Sequence, residues 1–140
     1  MEVYLSLGTN LGDKRHNIAE ATEKIRELIG DIICQSALYA TKPWGFESEN
    51  DFINAAVCVE TTLTPRQLLQ ATQDIERSMG RTEKSRDGEY RDRLIDIDIL
   101  TYGDETVDEP DLKIPHPLMH ERDFVMTPLN EILRKRKMKA

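Results

Sequence analysis

The chain has 140 residues, 39% of them hydrophobic, and a formal net charge of −7. That is one domain's worth of sequence with enough apolar content for a single core. The acidic balance argues against a nucleic-acid binder that works by neutralising phosphates. No apolar run approaches a bilayer span, and the first residues lack the pattern of a signal peptide. Cys34 and Cys58 both lie inside apolar runs. They read as buried small hydrophobes in a reducing cytoplasm rather than as a disulfide or a catalytic thiol, so a cytoplasmic location is expected.

Residues 1–7 alternate as a strand and end in Gly8-Thr9-Asn10-Leu11-Gly12-Asp13, a loop rich in turn formers. From Lys14, the apolar positions Ile18, Ala21, Ile25, Leu28 and Ile29 follow helical spacing, and Gly30 is expected to stop that helix. A second strand is expected over residues 31–40, with Ile32, Ile33 and Leu38 as its apolar content. The polar loop over 41–50 carries Pro43, Trp44 and Phe46 and is too long for a tight hairpin. Residues 52–61 read as a third strand. Thr64 then caps a second helix with Pro65 at its first position, its apolar face is Leu68, Leu69, Thr72, Ile75 and Met79, and Gly80 closes it. Residues 81–93 are polar throughout and lead into an apolar strand over 93–100.

The order is βαββαβ, which predicts an α+β, ferredoxin-like core: an antiparallel sheet with helices packed on it. Beyond Tyr102-Gly103-Asp104 comes a short, acidic, proline-bounded section. Residues 118–133 then look helical with an interruption around Pro128, giving a C-terminal helical extension. The basic run over 134–139 reads as a solvated helix end whose charge complements the dipole.

The strand Arg93-Leu94-Ile95-Asp96-Ile97-Asp98-Ile99-Leu100 carries the chemistry. Side chains alternate faces along a strand, so Asp96 and Asp98 share one face opposite Ile95, Ile97 and Ile99. Their carboxylates then stand roughly 6–7 Å apart, a spacing that suits two hard cations held against a polyphosphate. A solvated face of a half-buried strand is the plain alternative. Three groups of residues tip the balance. Arg81, Arg86, Arg91 and Arg93 run up to the strand, and guanidinium forks match phosphate oxygens. Glu83, Asp87, Glu89 and Asp92 interleave with them, so Arg86 reads as part of a solvated loop, whereas Arg93 stands at the strand's edge three residues before Asp96. Phe52 and Asn54, two apart at a strand start, pair a stacking surface with an amide that can both donate and accept, as a flat heterocycle requires. The segment from His116 to Phe124 offers a histidine and an arginine to a polyphosphate. A helical zinc pair of His116 and His120 lacks a third ligand, and Pro117 disturbs its helix start.

On the residues alone three functions stay open. The first is an enzyme in which Asp96 and Asp98 serve a polyphosphate and Asn54 a flat heterocycle. The second is a palm-like two-metal nucleotidyl transferase or cyclase, which leaves Phe52, Asn54 and Phe124 without a purpose. The third is a non-catalytic ligand-binding module.

Four motifs stand in order along the chain: Gly8-Thr9-Asn10-Leu11-Gly12; Phe52-Ile53-Asn54-Ala55-Ala56-Val57; Arg93-x-x-Asp96-Ile97-Asp98-Ile99-Leu100; and Pro115-His116-Pro117-x-Met119-x-x-Arg122-x-Phe124. Together they resemble the 6-hydroxymethyl-7,8-dihydropterin pyrophosphokinase family from Tyr4 to about Leu133. The resemblance implies a single pyrophosphokinase domain over residues 1–140, working in folate biosynthesis. It would transfer the terminal diphosphate of ATP to the pterin hydroxymethyl oxygen and release AMP. Asp96 and Asp98 match the ligands of two magnesium ions. Asn54 would read the pterin edge between Phe52 and Phe124, with Thr41, Pro43 and Trp44 contributing largely through backbone groups. Gln73, Glu76, Ile99, His116 and Arg122 match positions lining the ATP site, and Arg81 and Arg93 match arginines that compensate phosphate charge during transfer. The implied partners are small molecules, with neither nucleic acid nor membrane, and the expected state is a monomer.

Some positions depart from the family pattern. Tyr90-Arg91-Asp92-Arg93 stands where Trp-Gly-Pro-Arg is usual. Glu83 and Asp111 occupy places where the family can carry ATP-contacting arginines. The family also usually continues beyond residues 128–132, a difference expected to bear on stability more than on chemistry.

Overall fold

The structure, a computed structural model, describes residues 1–41, 51–80 and 94–139. Its strands are β1 (Glu2–Thr9), β2 (Gly30–Gln35), β3 (Tyr39–Thr41), β4 (Phe52–Thr61), β5 (Asp96–Tyr102), β6 (Val107–Glu109) and β7 (Leu112–Ile114). Its α-helices are α1 (Lys14–Leu28), α2 (Pro65–Ser78) and α3 (Asp123–Lys139). The main sheet runs β2-β4-β1-β5, with β3 also paired to β4, and every pairing is antiparallel. With β2 and β3 taken as one interrupted strand, this is the ferredoxin-like order expected from βαββαβ.

The helix ends follow their sequence signals. Asp13 caps α1 by accepting the His16 N–H. Thr64 caps α2 in a reciprocal pair: its hydroxyl accepts the Gln67 N–H, while the Gln67 side chain accepts the Thr64 N–H at 2.9 Å. α1 does stop before Gly30, at Leu28 with Ile29 as a right-handed cap, and Gly30 opens β2. A Cβ at Gly30 would lie 1.9 Å from the Glu60 carbonyl oxygen, so close backbone approach explains the glycine. Several expectations need correction. The second strand is split, because Ser36 turns inward: its hydroxyl accepts the Ala56 N–H and donates to the Ala37 carbonyl. The acidic, proline-bounded section is a hairpin, β6 on β7. The last helix is not interrupted at Pro128; a 3-10 turn, Met119–Glu121, precedes α3, which carries Pro128 within it.

Alternation along the strands builds two cores. Val3, Leu5, Leu7, Val57, Ile97 and Ile99 point to the face covered by α1 and α2, where Ile18, Ile25, Leu68 and Ile75 are buried. The opposite face carries Leu100, Ala56 and Cys58 against Val125, Leu129 and Ile132 of α3. Each fully buried aliphatic side chain contributes about 1.5–3 kcal/mol relative to exposure. The basic end of α3 is not simply solvated. Arg136 forks onto Glu2, reaches the Tyr4 hydroxyl at 2.8 Å and lies 3.3 Å from the Cys58 sulfur. α3 is thereby tied to Glu2 and Tyr4 of β1.

Candidate active site

Register across the sheet assembles the site. Asp96 stands opposite Gly8, Gly8 opposite Asn54, and Asn54 opposite Tyr39. Residues directly opposite in antiparallel strands share a face, so these four form one row, and Asp98, Ser6 and Ala56 form the next. Asp96 and Asn54 are thus two strand spacings apart, about 10 Å, with bare backbone between them. A methyl at Gly8 would come 3.1 Å from Asn54 Oδ1 and 3.6 Å from the Phe52 ring, so the absent side chain lets both approach the β1 backbone closely.

The Asn54 end of the row is ordered by hydrogen bonds. Asn54, 2% exposed, donates from Nδ2 to the Thr41 hydroxyl at 2.6 Å. Thr41 therefore contributes its side chain here, beyond the backbone role implied by the resemblance. Phe52 is half-buried beside them. Phe124, half-buried in the first turn of α3, packs in the cluster containing Leu100, on the face that carries Asp96 and Asp98. Arg122 is 5% exposed with its guanidinium 5.6 Å from the Phe124 ring centroid. Burial pushes its pKa down.

Asp96 and Asp98 are both half-buried. The strand that presents them lies at the sheet edge, and Glu76 of α2, itself buried, accepts the Ile97 N–H at 2.9 Å between them. Glu76, expected among the ATP-lining residues, thus holds the aspartate strand. Gln73 is half-buried three residues earlier.

Beside Asp98 opens a cavity of about 280 Å³ lined by Leu69, Thr72, Ile97, Ile99, Leu112 and His116, among others. The outer wall is the β6–β7 turn, through Pro110, Asp111 and Lys113. His116 Nδ1 accepts the Leu118 N–H at 3.2 Å, which places the proton of the neutral ring on Nε2. Burial pushes the His116 pKa down, and the nearby Asp96 charge pulls it back up in part. The structure therefore brings Ile99, His116 and Asp98 together, and separately Thr41, Phe52 and Asn54. Pro43, Trp44, Arg81, Arg86, Arg91 and Arg93 lie outside the described residues. Among the described residues no group of three or more His, Cys, Asp or Glu stands together, at the His116–His120 pair or at Asp96 and Asp98. The sequence pattern missed the β6–β7 wall. Its only signal was the alternation Val107 to Ile114 around Pro110.

A profile of the 7,8-dihydro-6-hydroxymethylpterin-pyrophosphokinase (HPPK) family matches residues 4–134. The chain is 47% identical over 131 residues to the 2-amino-4-hydroxy-6-hydroxymethyldihydropteridine pyrophosphokinase of Porphyromonas gingivalis, covering 93% of this chain and 89% of that one. It is 42% identical over 130 residues to the enzyme of the same name from Aquifex aeolicus, covering 93% and 79%. Among solved structures, an HPPK-DHPS from Plasmodium falciparum superposes with a TM-score of 0.72 at 20% identity, over 92% of this chain and 41% of that longer one, a likeness of fold. A profile match across nearly the whole chain, joined to 47% identity, places this protein in the 7,8-dihydro-6-hydroxymethylpterin-pyrophosphokinase family, whose pyrophosphoryl transfer belongs to folate biosynthesis.

Proposed function

We propose that the protein binds 6-hydroxymethyl-7,8-dihydropterin over Gly8 and ATP in the cavity beside Asp98, and transfers the terminal diphosphate to the pterin hydroxymethyl oxygen with release of AMP. The observation that carries this is the row Asp96–Gly8–Asn54. It sets a carboxylate pair and a buried amide about 10 Å apart on one sheet face, with a glycine between them.

The roles follow from position. Asn54, oriented by Thr41, reads the ring edge, and Phe52 and Phe124 supply its stacking surfaces. The apolar walls Leu69, Ile97, Ile99 and Leu112 suit a base, while Lys113 and the Nε2–H of His116 offer donors. Asp96 and Asp98 fit Mg²⁺, which takes one or two carboxylates and completes its shell with phosphates and water. When bound there, Mg²⁺ would neutralise triphosphate charge and polarise the transferring group. Arg81 and Arg93 are proposed to compensate the remaining phosphate charge. Catalysis then rests on alignment and charge neutralisation, with no protein nucleophile.

A product assay that resolves AMP, ADP and pyrophosphate tests the proposal. AMP should form only with the pterin, ATP and Mg²⁺ together. ADP as product would overturn it, and pyrophosphate release would favour the palm-like nucleotidyl transferase.

A further inference from the structure

Arg66, at the second position of α2, does not line the cavity, yet its guanidinium grips both sides of the turn that walls it. Nε donates to Glu109 at 2.9 Å, Nη1 to Asp111 Oδ2 at 2.8 Å and Nη2 to Asp111 Oδ1 at 2.6 Å, with a further contact from Nη2 to Glu109. Pro110 sits between the two carboxylates and faces the cavity with Asp111. The hairpin pairs only with itself among the described strands, and it is fastened to the body by Leu112 and Ile114 in the core. Its tip has the Arg66 fork and the Lys113–Asp108 pair within the hairpin. The two carboxylates hold the Arg66 pKa above its ordinary value.

The location makes this arrangement matter. A site for a polyanion carries two lining carboxylates, Asp98 and Asp111. Asp98 is placed to meet a cation, whereas Asp111 stands at the outer wall, where its charge would repel an incoming triphosphate. We infer that Arg66 is a positioning residue for the nucleotide: it fixes the β6–β7 wall of the cavity and cancels the charge of Asp111 at its rim. This deepens the ATP reading and rests on it. Exposed ion pairs are individually weak, but one planar fork closing on two carboxylates acts as a unit and is sensitive to salt.

The test compares wild type, Arg66→Ala and Arg66→Ala/Asp111→Asn, each with Mg²⁺ and α,β-methylene-ATP, whose scissile position cannot break. Arg66→Ala should weaken analogue binding about three- to tenfold at low salt, and the gap should narrow as salt is raised. The double variant should recover most of that loss, which a merely unfolded hairpin would not do. In nucleotide-free protein, amide exchange over residues 107–114 should be faster in Arg66→Ala, while the KM for the pterin stays within about twofold. Unchanged exchange overturns the latch. Unchanged analogue affinity, or no recovery in the double variant, overturns its bearing on the nucleotide. Failure of wild type to bind the analogue at all overturns the ATP reading instead, and the exchange arm still decides the latch.

Discussion

Under the proposed function, acceptor recognition turns on Asn54. It is buried, its amide donates to the Thr41 hydroxyl, and its oxygen lies close against Gly8. Asn54→Ala should raise the KM for the pterin at least about tenfold, since a lost buried hydrogen bond costs about 1–3 kcal/mol. The KM for ATP should change little, and steady-state kinetics varying each substrate in turn would separate the two. Gly8→Ala should act in the same direction by crowding Asn54 and Phe52, with no backbone penalty, because Gly8 is not among the positive-φ glycines. His116 makes a pH prediction. Its folded pKa is depressed by burial, so the unfolded chain takes up the proton first, and stability falls as pH drops through and below the ordinary histidine range. Thermal melts from pH 7.5 to 5.5 should show that decline, and His116→Gln should flatten it. At this scale the pairing of Phe52 with Asn54, and of Asp96 with Asp98, was legible from the two-residue period alone. That Asp96 and Asn54 share a row was not, because register is set by contacts far apart in sequence.

Helix α3 is an element whose placement depends on a few polar anchors. Glu131, with its side chain 14% exposed, accepts the Ala37 N–H at 3.0 Å and the Tyr39 hydroxyl, and pairs with Lys135. Burial pushes the Glu131 pKa up, but Lys135, Tyr39 and the Ala37 N–H together hold it below its ordinary value. Its contribution is therefore full above the ordinary carboxylate range and is lost as pH falls through the lower folded value. Glu131→Ala should cost about 1–3 kcal/mol in urea unfolding near neutral pH. Because Ala37 and Tyr39 lead into Thr41, the same change should raise the pterin KM more than that of ATP. Thr64→Ala, by removing a capping pair, should cost about 1 kcal/mol without altering either KM. Both long helices before the site and the ends of β4 were readable, since caps and apolar spacing are local signals. The Ser36 break in the second strand, the β6–β7 hairpin and the unbroken α3 depend on partners in other elements, and composition did not show them.

Taken whole, the molecule separates its anchor from its chemistry. Arg136 ties α3 to Glu2 and Tyr4 at one end of β1, while Gly8, buried between Asn54 and Asp96, lies toward the other. Arg136→Ala should lower the melting temperature by several degrees, for a loss of about 1 kcal/mol. AMP production at permissive temperature should stay within about twofold, and a parallel loss of both would show that the two ends are coupled. The fold class was legible throughout, because a βαββαβ order with antiparallel neighbours admits few topologies. The site was legible only in part: the cavity beside Asp98 is lined from α2, β5, the β6–β7 hairpin and the His116–Pro117 segment, and its outer wall comes from a stretch with no motif of its own.

The thiol of Cys58 lies beneath α3, fully buried against Ile132 and touched by Arg136, and it stands across from Cys34 of β2. Burial keeps its pKa high, so the sulfur is slow to react while the helix is seated. An alkylating reagent can reach it only when α3 lifts. The labelling rate of Cys58 is thus a built-in clock for helix detachment, readable by mass spectrometry on the unaltered chain.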